Sequence, residues 1–135
     1  MRLLKGSERV TITSKAPGKL FIAGEYAVVE PGHGAIIAAV SRYLTVTIDE
    51  ATSVGTLTST QNPDVVVEWT RKGELFRAKG EHPYKLVEEA ILVAEQYVRE
   101  TGKLTNALYS LSITSELDDA KRGIKYGLGS SGAVV

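Results

Sequence analysis

The sequence contains no cysteine and very little histidine, and these absences exclude several kinds of site. Without cysteine there can be neither a disulfide framework nor a thiolate metal site. The two histidines, His33 and His82, are too few to form a histidine-based zinc site by themselves. Sixteen basic residues balance sixteen acidic ones, so the chain lacks the basic field that nonspecific binding to nucleic acids or membranes requires.

Long apolar runs are missing as well. The longest run, Ala35–Val40, is far too short to span a membrane. The segment Met1–Gly18 has no apolar core and carries several basic residues, which argues against a secretory signal and leaves a cytoplasmic protein as the expectation. With 135 residues, 43% of them hydrophobic, the composition indicates one globular domain or a piece of one.

Hydrophobic alternation predicts several strands. The pattern is clearest at Leu44, Val46 and Ile48, which alternate with threonines and indicate a half-buried strand. The continuous apolar run Ala35–Val40 predicts a strand that is buried on both faces. The other predicted strands are Arg9–Ser14, Leu20–Ala23, Val54–Ser59, Val65–Thr70 and Ala107–Thr114, and a Pro-Gly turn is expected to separate the first two.

One segment, Pro83–Thr101, has strong helical periodicity. Pro83 suits the first helical position, and Gly102 suits the residue that follows the C-terminal cap. The predicted inward stripe consists of Leu86, Ala90, Val93, Ala94 and Tyr97, and Ile91 and Val98 widen it. The predicted solvent face consists of Glu88, Glu89, Glu95, Arg99 and Glu100. Strands grouped before helices favour an α+β fold, with helices on one face of a largely antiparallel sheet.

The stretch Lys121–Val135 has the features of a phosphate-binding loop. Three glycines within Gly127–Gly132 allow sharp turns and a close approach to a ligand, and they bracket two hydroxyls, Ser130 and Ser131. The apolar residues Ala133–Val135 indicate the first turn of a helix, with either serine as its N-cap. The unpaired N–H groups of a helix start favour anions.

From the residues alone, three interpretations of this loop stay open. Residues 127–132 match the dinucleotide pattern G-x-G-x-x-G, but the last predicted strand ends near Thr114 and the printed sequence ends before the acidic residue that this pattern requires. A Walker A loop is excluded because Gly-Lys-[Ser/Thr] is absent. The second interpretation is a solvated Gly/Ser turn, and the third is a phosphate loop of another type.

A second cluster lies in Lys15–Tyr26, where Lys19, Glu25 and Tyr26 share one strand–turn–strand segment. Taken alone, these could be a solvated lysine, a surface charge and a core aromatic. Together, however, P-G-K-L-F-I-A-G-E-Y and G-L-G-S-S-G resemble motifs one and two of the GHMP small-molecule kinases. That family includes kinases that act on galactose, homoserine, mevalonate and phosphomevalonate.

The resemblance implies transfer of the γ-phosphoryl group of ATP, with Mg²⁺, to a small acceptor. Phosphomevalonate is the favoured acceptor, giving diphosphomevalonate on the mevalonate route to isoprenoids. Two features support this acceptor. Tyr26 follows the Gly-Glu pair, where mevalonate-phosphorylating members more often carry histidine. The residues before Gly127 are Gly-Ile-Lys-Tyr, where those members usually carry a proline. Mevalonate or another acceptor of the family stays an alternative, as does a non-catalytic nucleotide-binding half-domain.

The resemblance also implies roles for individual residues. Lys19 and Lys125 would be catalytic, Ser131 would bind Mg²⁺, and Lys19, Glu25 and Tyr26 would bind the acceptor. Nucleotide binding would fall to Lys125, Tyr126, Gly127, Leu128, Gly129, Ser130, Ser131 and Gly132. Further candidates are Lys121, Arg122 and His33, for which a solvated surface position is an equal expectation.

The fold that the resemblance implies is an α+β sandwich like domain two of ribosomal protein S5, with a left-handed βαβ unit. Residues 1–135 would be the N-terminal part of the ATP-binding domain of such a kinase. The partner would be the missing C-terminal portion of the same enzyme, which carries the family's catalytic aspartate. The 135 residues are therefore expected to be inactive by themselves. RNA binding is disfavoured by the zero net charge.

Overall fold

A computed structural model describes residues 10–103 and 106–135, which form a mixed α+β structure. The strands are β1 Thr11–Ala23, β2 Ile36–Ala51, β3 Gly55–Ser59, β4 Val67–Lys72, β5 Leu75–Ala78, β6 Leu108–Ser115, β7 Asp118–Asp119 and β8 Ile124–Lys125. The helices are α1 Lys85–Glu100 and α2 Ser130–Val134, and a 3-10 helix spans Ala27–Val29. Arg9, the first residue of a predicted strand, lies outside the described residues, as does the part of Met1–Gly18 that precedes residue 10.

Six strands form one sheet in the order β1-β2-β6-β3-β4-β5, and β7 pairs with β8 in a separate hairpin. Neighbouring strands of the large sheet are antiparallel except β3 and β6, which are parallel. The connection from β3 to β6 runs through β4, β5 and α1. Residues of α1 and α2 line a common groove with β2 and β6, so both helices lie on one face. The predicted α+β arrangement is confirmed.

The hydrophobic core lies where α1 packs over β2, β6, β3 and β4. Trp69 is completely buried, and its ring centroid lies 4.5 Å from that of Phe76. The indole Nε1–H donates a hydrogen bond of 3.0 Å to the carbonyl of Tyr109, which satisfies the one polar atom that this side chain buries. Burial of each large apolar side chain stabilises the fold by about 1.5–3 kcal/mol, and Leu57 and Leu111 extend this cluster.

Helix α1 buries a face that agrees with the predicted stripe only at Ile91. Its buried residues are Val87, Ile91 and Glu95, which are spaced four residues apart. Two members of the predicted stripe are instead largely exposed, with Val93 at 67% and Tyr97 at 70%. The prediction assigned Glu95 to solvent because it is charged, so the predicted stripe is rotated away from the buried face and shares only Ile91 with it.

Glu95 is buried because Arg71 of β4 pairs with it. The two guanidinium nitrogens donate to the two carboxylate oxygens at 3.0 and 2.8 Å, and the Tyr109 hydroxyl donates to the same carboxylate at 3.0 Å. The hydrogen bonds that Arg71 donates to Glu95 raise the pKa of Arg71 above its usual value. Desolvation, and then the charge of Glu95, raise the pKa of Tyr109. The buried Arg71 guanidinium and the buried Glu95 carboxylate therefore both have hydrogen-bonding partners.

The C-terminal end of α1 agrees with the prediction from sequence, and its N-terminal end does not. Tyr84 is the N-cap, so Pro83 precedes the helix instead of occupying its first position. At the other end Gly102 has φ +71°, and its N–H donates to the Arg99 carbonyl at 2.9 Å. The N–H of Lys103 reaches back to Val98 at 3.3 Å, which completes the paired-bond termination that glycine favours at this position.

Several strand predictions need correction. The expected break at Pro17-Gly18 is a bulge within a continuous β1, because the pairing with β2 shifts register between these two residues. The segment Ala35–Val40 is not buried on both faces, since Ile36 is 64% exposed and Ile37 is 49% exposed. The reason is that β6 pairs with β2 only from Leu44 onward, so the earlier part of β2 has β1 as its single neighbour. In the described ranges, no helix is long and apolar enough to cross a bilayer.

Candidate functional site

The two sequence motifs meet where β1 passes the glycine loop. The backbone N–H of Lys19 donates a hydrogen bond of 2.9 Å to the carbonyl of Leu128, inside the loop. Gly18 is buried at this crossing, and a Cβ built on it would lie 3.1 Å from the same carbonyl and 2.7 Å from Leu117. The Pro-Gly-Lys segment therefore needs glycine so that the two backbones can approach each other.

The side chain of Lys19 extends along the loop. A Cβ built on Gly129 would lie 2.9 Å from Lys19 Cγ and 3.0 Å from Cε, and one built on Gly132 would lie 3.7 Å from Nζ. Gly129 also has φ +72°, which side chains rarely tolerate. The ammonium group of Lys19 thus ends beside Gly132, and it lies 5.8 Å from the centroid of the Phe21 ring. The structure brings together the predicted catalytic lysine and the predicted phosphate loop.

The start of α2 differs from the prediction. Gly129 in the left-handed conformation is the N-cap, and neither Ser130 nor Ser131 caps the helix, because Ser130 is already its first residue. The backbone closes the turn instead, since the N–H of Ala133 donates to the Gly129 carbonyl at 3.2 Å. No side-chain cap hydrogen bond forms at this end. The predicted roles of the two serines toward a ligand therefore do not compete with helix capping.

Lys125, Ser130 and Ser131 line a polar cleft of about 380 Å³. The segment Ser115–Arg122 contains β7, and the hairpin of β7 and β8 contributes most of the residues that line this cleft. These wall residues were not among the predicted site residues. They are Asp118, Asp119, Ala120, Gly123 and Ile124 of the hairpin, together with Gln61 and Asn62 from the turn after β3. The adjacent aspartates were the one visible signal for them.

The donors in this cleft suit Mg²⁺. The hydroxyl of Ser131 and the carboxylates of Asp118 and Asp119 are hard oxygen ligands, which this ion prefers. Within residues 10–103 and 106–135 there is no group of three histidine, cysteine, aspartate or glutamate side chains that would form a complete cage. Mg²⁺ does not require one, since it usually keeps several waters and binds substrate phosphates.

Glu25 and Tyr26 do not line this cleft, and they lie on the turn after β1. Tyr26 is 83% exposed and precedes the 3-10 helix, so the alternative interpretation of this residue as a core aromatic is wrong. His33 lies in the same exposed turn region, where its backbone N–H donates to Glu30 at 3.3 Å.

The additional basic candidates Lys121 and Arg122 lie in the β7–β8 turn. Both are exposed. Arg122 Nε lies 3.6 Å from the Asp119 carboxylate, and the backbone N–H of Arg122 donates to that carboxylate at 3.2 Å. This guanidinium is therefore directed toward an acidic residue of the cleft wall.

The chain is similar in sequence to a curated phosphomevalonate kinase from Streptomyces sp. strain CL190, with 39% identity over 139 residues that cover 92% of the chain and 35% of that protein. No protein-family profile matches it. A crystal structure of the Lin0012 protein from Listeria innocua has a TM-score of 0.74 at 42% identity, covering 93% of this chain and 34% of that one.

Streptococcus pneumoniae phosphomevalonate kinase, solved in complex with phosphomevalonate and AMPPNP, has a TM-score of 0.70 at 29% identity, covering 91% of this chain and 33% of that one. Another structure of the pneumococcal enzyme gives 0.65 at 31% identity, covering 92% and 31%. The chain spans about a third of the length of the relatives it matches. Sequence and fold together relate it to phosphomevalonate kinases, as the paired motifs predict.

Proposed function

We propose that residues 1–135 are the N-terminal part of a kinase that transfers the γ-phosphoryl group of ATP to phosphomevalonate, giving diphosphomevalonate and ADP. The observation that carries this proposal is the position of the Lys19 side chain along Gly129 and Gly132. A lysine held against a glycine loop offers a cation and backbone N–H groups to the same phosphate. The similar pneumococcal enzyme that was solved with phosphomevalonate and an ATP analogue supports this choice of substrates.

The chemistry requires charge neutralisation more than proton removal. The attacking oxygen of phosphomevalonate belongs to a phosphate that is already ionised near neutral pH, so the main obstacle is the approach of two polyanions. A cation about 4 Å from a phosphate oxygen contributes roughly 4 kcal/mol at an effective dielectric constant near 20. In the proposal, Lys19 neutralises the transferred group or the acceptor phosphate, and Lys125 neutralises the nucleotide.

Residues of the loop would hold the rest of the nucleotide. We assign the phosphate contacts to the backbone of Gly127–Gly132 and to the Ser130 hydroxyl, with Tyr126 at the loop entrance. Ser131 would bind Mg²⁺, which when bound neutralises charge on the phosphates. Asp118 and Asp119 share the cleft with Ser131 and are further candidates to hold that ion. Glu25 and Tyr26 would shape the acceptor site from the turn after β1.

The finer description of the fold belongs to the same proposal. The parallel pair β3 and β6 is joined through α1, which is the arrangement that a βαβ unit requires. We assign to it the left-handed crossover of the GHMP kinases and the sandwich architecture of ribosomal protein S5 domain two. The C-terminal portion of the same enzyme would complete the site with a catalytic aspartate, so the 135 residues alone would be inactive. The enzyme would act in the cytoplasm.

The test is ADP formation by the full-length protein, with MgATP and either phosphomevalonate or mevalonate as acceptor. The proposal expects turnover with phosphomevalonate and little with mevalonate. The reverse preference would support the alternative of a mevalonate kinase, and nucleotide binding without turnover on either acceptor would support the non-catalytic alternative. ATP-dependent turnover by the isolated 135 residues would overturn the proposal that they are an inactive part.

Ser131→Ala provides an independent test of the metal role. Because Ser131 does not cap α2 through its side chain, its removal should lower turnover strongly and leave thermal stability almost unchanged. A large loss of stability, with turnover per folded molecule retained, would show that Ser131 serves the fold and not the metal.

A further inference from the structure

Arg42 lies at an irregular point of β2 that faces the glycine loop region. Pro17 pairs with Tyr43, but the next residue, Gly18, pairs with Val40, so Ser41 and Arg42 are extra residues on the β2 side. A bulge of this kind redirects side chains and is common beside functional sites. Gly18 packs against the Leu128 carbonyl, so the bulge is located at the crossing of the two motifs.

The guanidinium of Arg42 lies over the ring of Tyr126, with 5.5 Å between Cζ and the ring centroid. One of its nitrogens also lies 3.5 Å from the Glu116 carbonyl. Glu116 is tied to the same strand from the other side, because its N–H donates to the Tyr43 carbonyl at 2.9 Å and its carboxylate accepts from the Tyr43 N–H at 2.9 Å. Glu116 therefore contacts both the Arg42 guanidinium and the backbone of the residue that follows Arg42.

Tyr126 immediately precedes the first glycine of the loop. Gly127 has φ +71°, and a Cβ built on it would meet no atom within 4 Å, so the space beside this residue is open. The loop is held on one side of Gly127 by the hydrogen bond from Lys19 to Leu128. On the other side it is held by the contact between Arg42 and Tyr126. Because glycine is conformationally permissive, contacts on both sides of Gly127 are what would restrict the backbone here.

We propose that Arg42 is a positioning residue for the nucleotide site, which fixes the entrance of the glycine loop through its contact with Tyr126. This inference rests on the proposed function, since it assumes that the loop binds the nucleotide phosphates. Arg42 itself touches no substrate in this account. It acts by keeping the backbone N–H groups that follow Gly127 in the orientation that binds phosphate.

The test is a double-mutant cycle in the full-length protein, read out by titration with Mg²⁺-AMPPNP, which requires no acceptor. The variants are Arg42→Gln, Tyr126→Leu and their combination, with Arg42→Lys to retain the cation. Arg77→Gln on β5 is the matched control, because it removes another exposed arginine from the opposite edge of the sheet. Melting temperatures and the KM for ATP are measured on the same samples.

We expect Arg42→Gln to weaken nucleotide binding about two- to fivefold, the range for a partly exposed cation–π contact. Tyr126→Leu should have a similar or larger effect, and the combination should bind no more weakly than the worse single variant. Arg42→Lys should recover part of the affinity, and Arg77→Gln should change neither affinity nor KM. Melting temperatures of the Arg42 variants should match that of Arg77→Gln.

Two results would overturn the inference. One is multiplication of the two single effects in the combined variant, which would mean that Arg42 and Tyr126 act independently. The other is a loss of melting temperature in Arg42→Gln without any change in affinity per folded molecule, which would mean a purely structural role. The proposed function fails separately, if the unmodified protein binds the nucleotide with the expected coupling but does not phosphorylate phosphomevalonate.

Discussion

A comparison of Gly129→Ala with Gly73→Ala distinguishes the effect of backbone strain from the effect of displacing the Lys19 side chain. Gly129 has φ +72°, and an added methyl group would lie 2.9 Å from Lys19 Cγ. Gly73, in the turn between β4 and β5, has φ +64°, and a methyl group added there would meet no atom within 4 Å. Both substitutions place alanine in the left-handed region, which costs about 1–2 kcal/mol. They differ in that one of them displaces the Lys19 side chain.

The cost of that displacement can be worked out from Coulomb's law. Moving a cation from about 4 to about 5 Å from a phosphate oxygen loses roughly 0.8 kcal/mol at a dielectric constant near 20, or about a fourfold change in rate. A displacement of about 1 Å that also disturbs the reacting geometry can cost as much as 100-fold. In the full-length protein we therefore expect Gly129→Ala to lower kcat/KM between about fourfold and about 100-fold.

The assay is ADP release with phosphomevalonate, normalised to the folded fraction from urea unfolding. Both variants should lose a similar free energy of unfolding, and Gly73→Ala should keep the kcat/KM of the unmodified protein. Equal kcat/KM values for Gly129→Ala and Gly73→Ala would mean that the methyl group beside Lys19 has no consequence for the reaction, and would contradict the proposed role of Lys19.

Three further outcomes follow from the packing. Glu95→Ala leaves the buried Arg71 charge unpaired and should lower the free energy of urea unfolding by about 3–5 kcal/mol, whereas Glu89→Ala, at an exposed position, should change it by less than about 0.5 kcal/mol; equal losses would contradict the buried pair. Folding raises the pKa of Tyr109, so its contribution to stability is complete below the unfolded pKa near 10 and is lost as pH rises toward the folded value. The free energy of unfolding, measured from pH 9 to 11, should show this loss. A Tyr109→Phe variant whose free energy of unfolding falls with pH at the same slope would contradict it. Leu117→Ala removes a side chain that is 1% exposed and should cost about 2–5 kcal/mol in thermal unfolding, and a loss below about 1 kcal/mol would contradict its burial.

The sequence predicted the elements whose patterns are local. The helix α1 and the strand around Leu44, Val46 and Ile48 follow from periodicity alone, and the termination at Gly102 follows from the need for a positive φ. The paired motifs predicted that Lys19 and the glycine loop serve one phosphate site. The structure brings the Lys19 side chain to Gly129 and Gly132, and the phosphate site itself stays a prediction.

Features set by distant contacts could not be predicted in the same way. The buried face of α1 depends on Arg71, a residue of another element, which makes the burial of Glu95 favourable. The exposure of Ile36 depends on where β6 begins to pair with β2. The acidic wall of the cleft depends on a two-residue strand pair, Asp118–Asp119 with Ile124–Lys125, whose pattern is too short to stand out in a sequence.

A comparison of Lys19→Met with Lys15→Met in the full-length protein distinguishes a phosphate-binding Lys19 from a solvated one. Both residues are exposed lysines of β1, but the Lys19 side chain lies along Gly129 and Gly132, where the proposed function puts the phosphates. With MgATP and phosphomevalonate, kcat/KM should fall at least about 100-fold in Lys19→Met, since a cation–phosphate contact contributes several kcal/mol, and should stay within about twofold in Lys15→Met. Equal values for the two variants would contradict the claim that the two motifs form one phosphate-binding site.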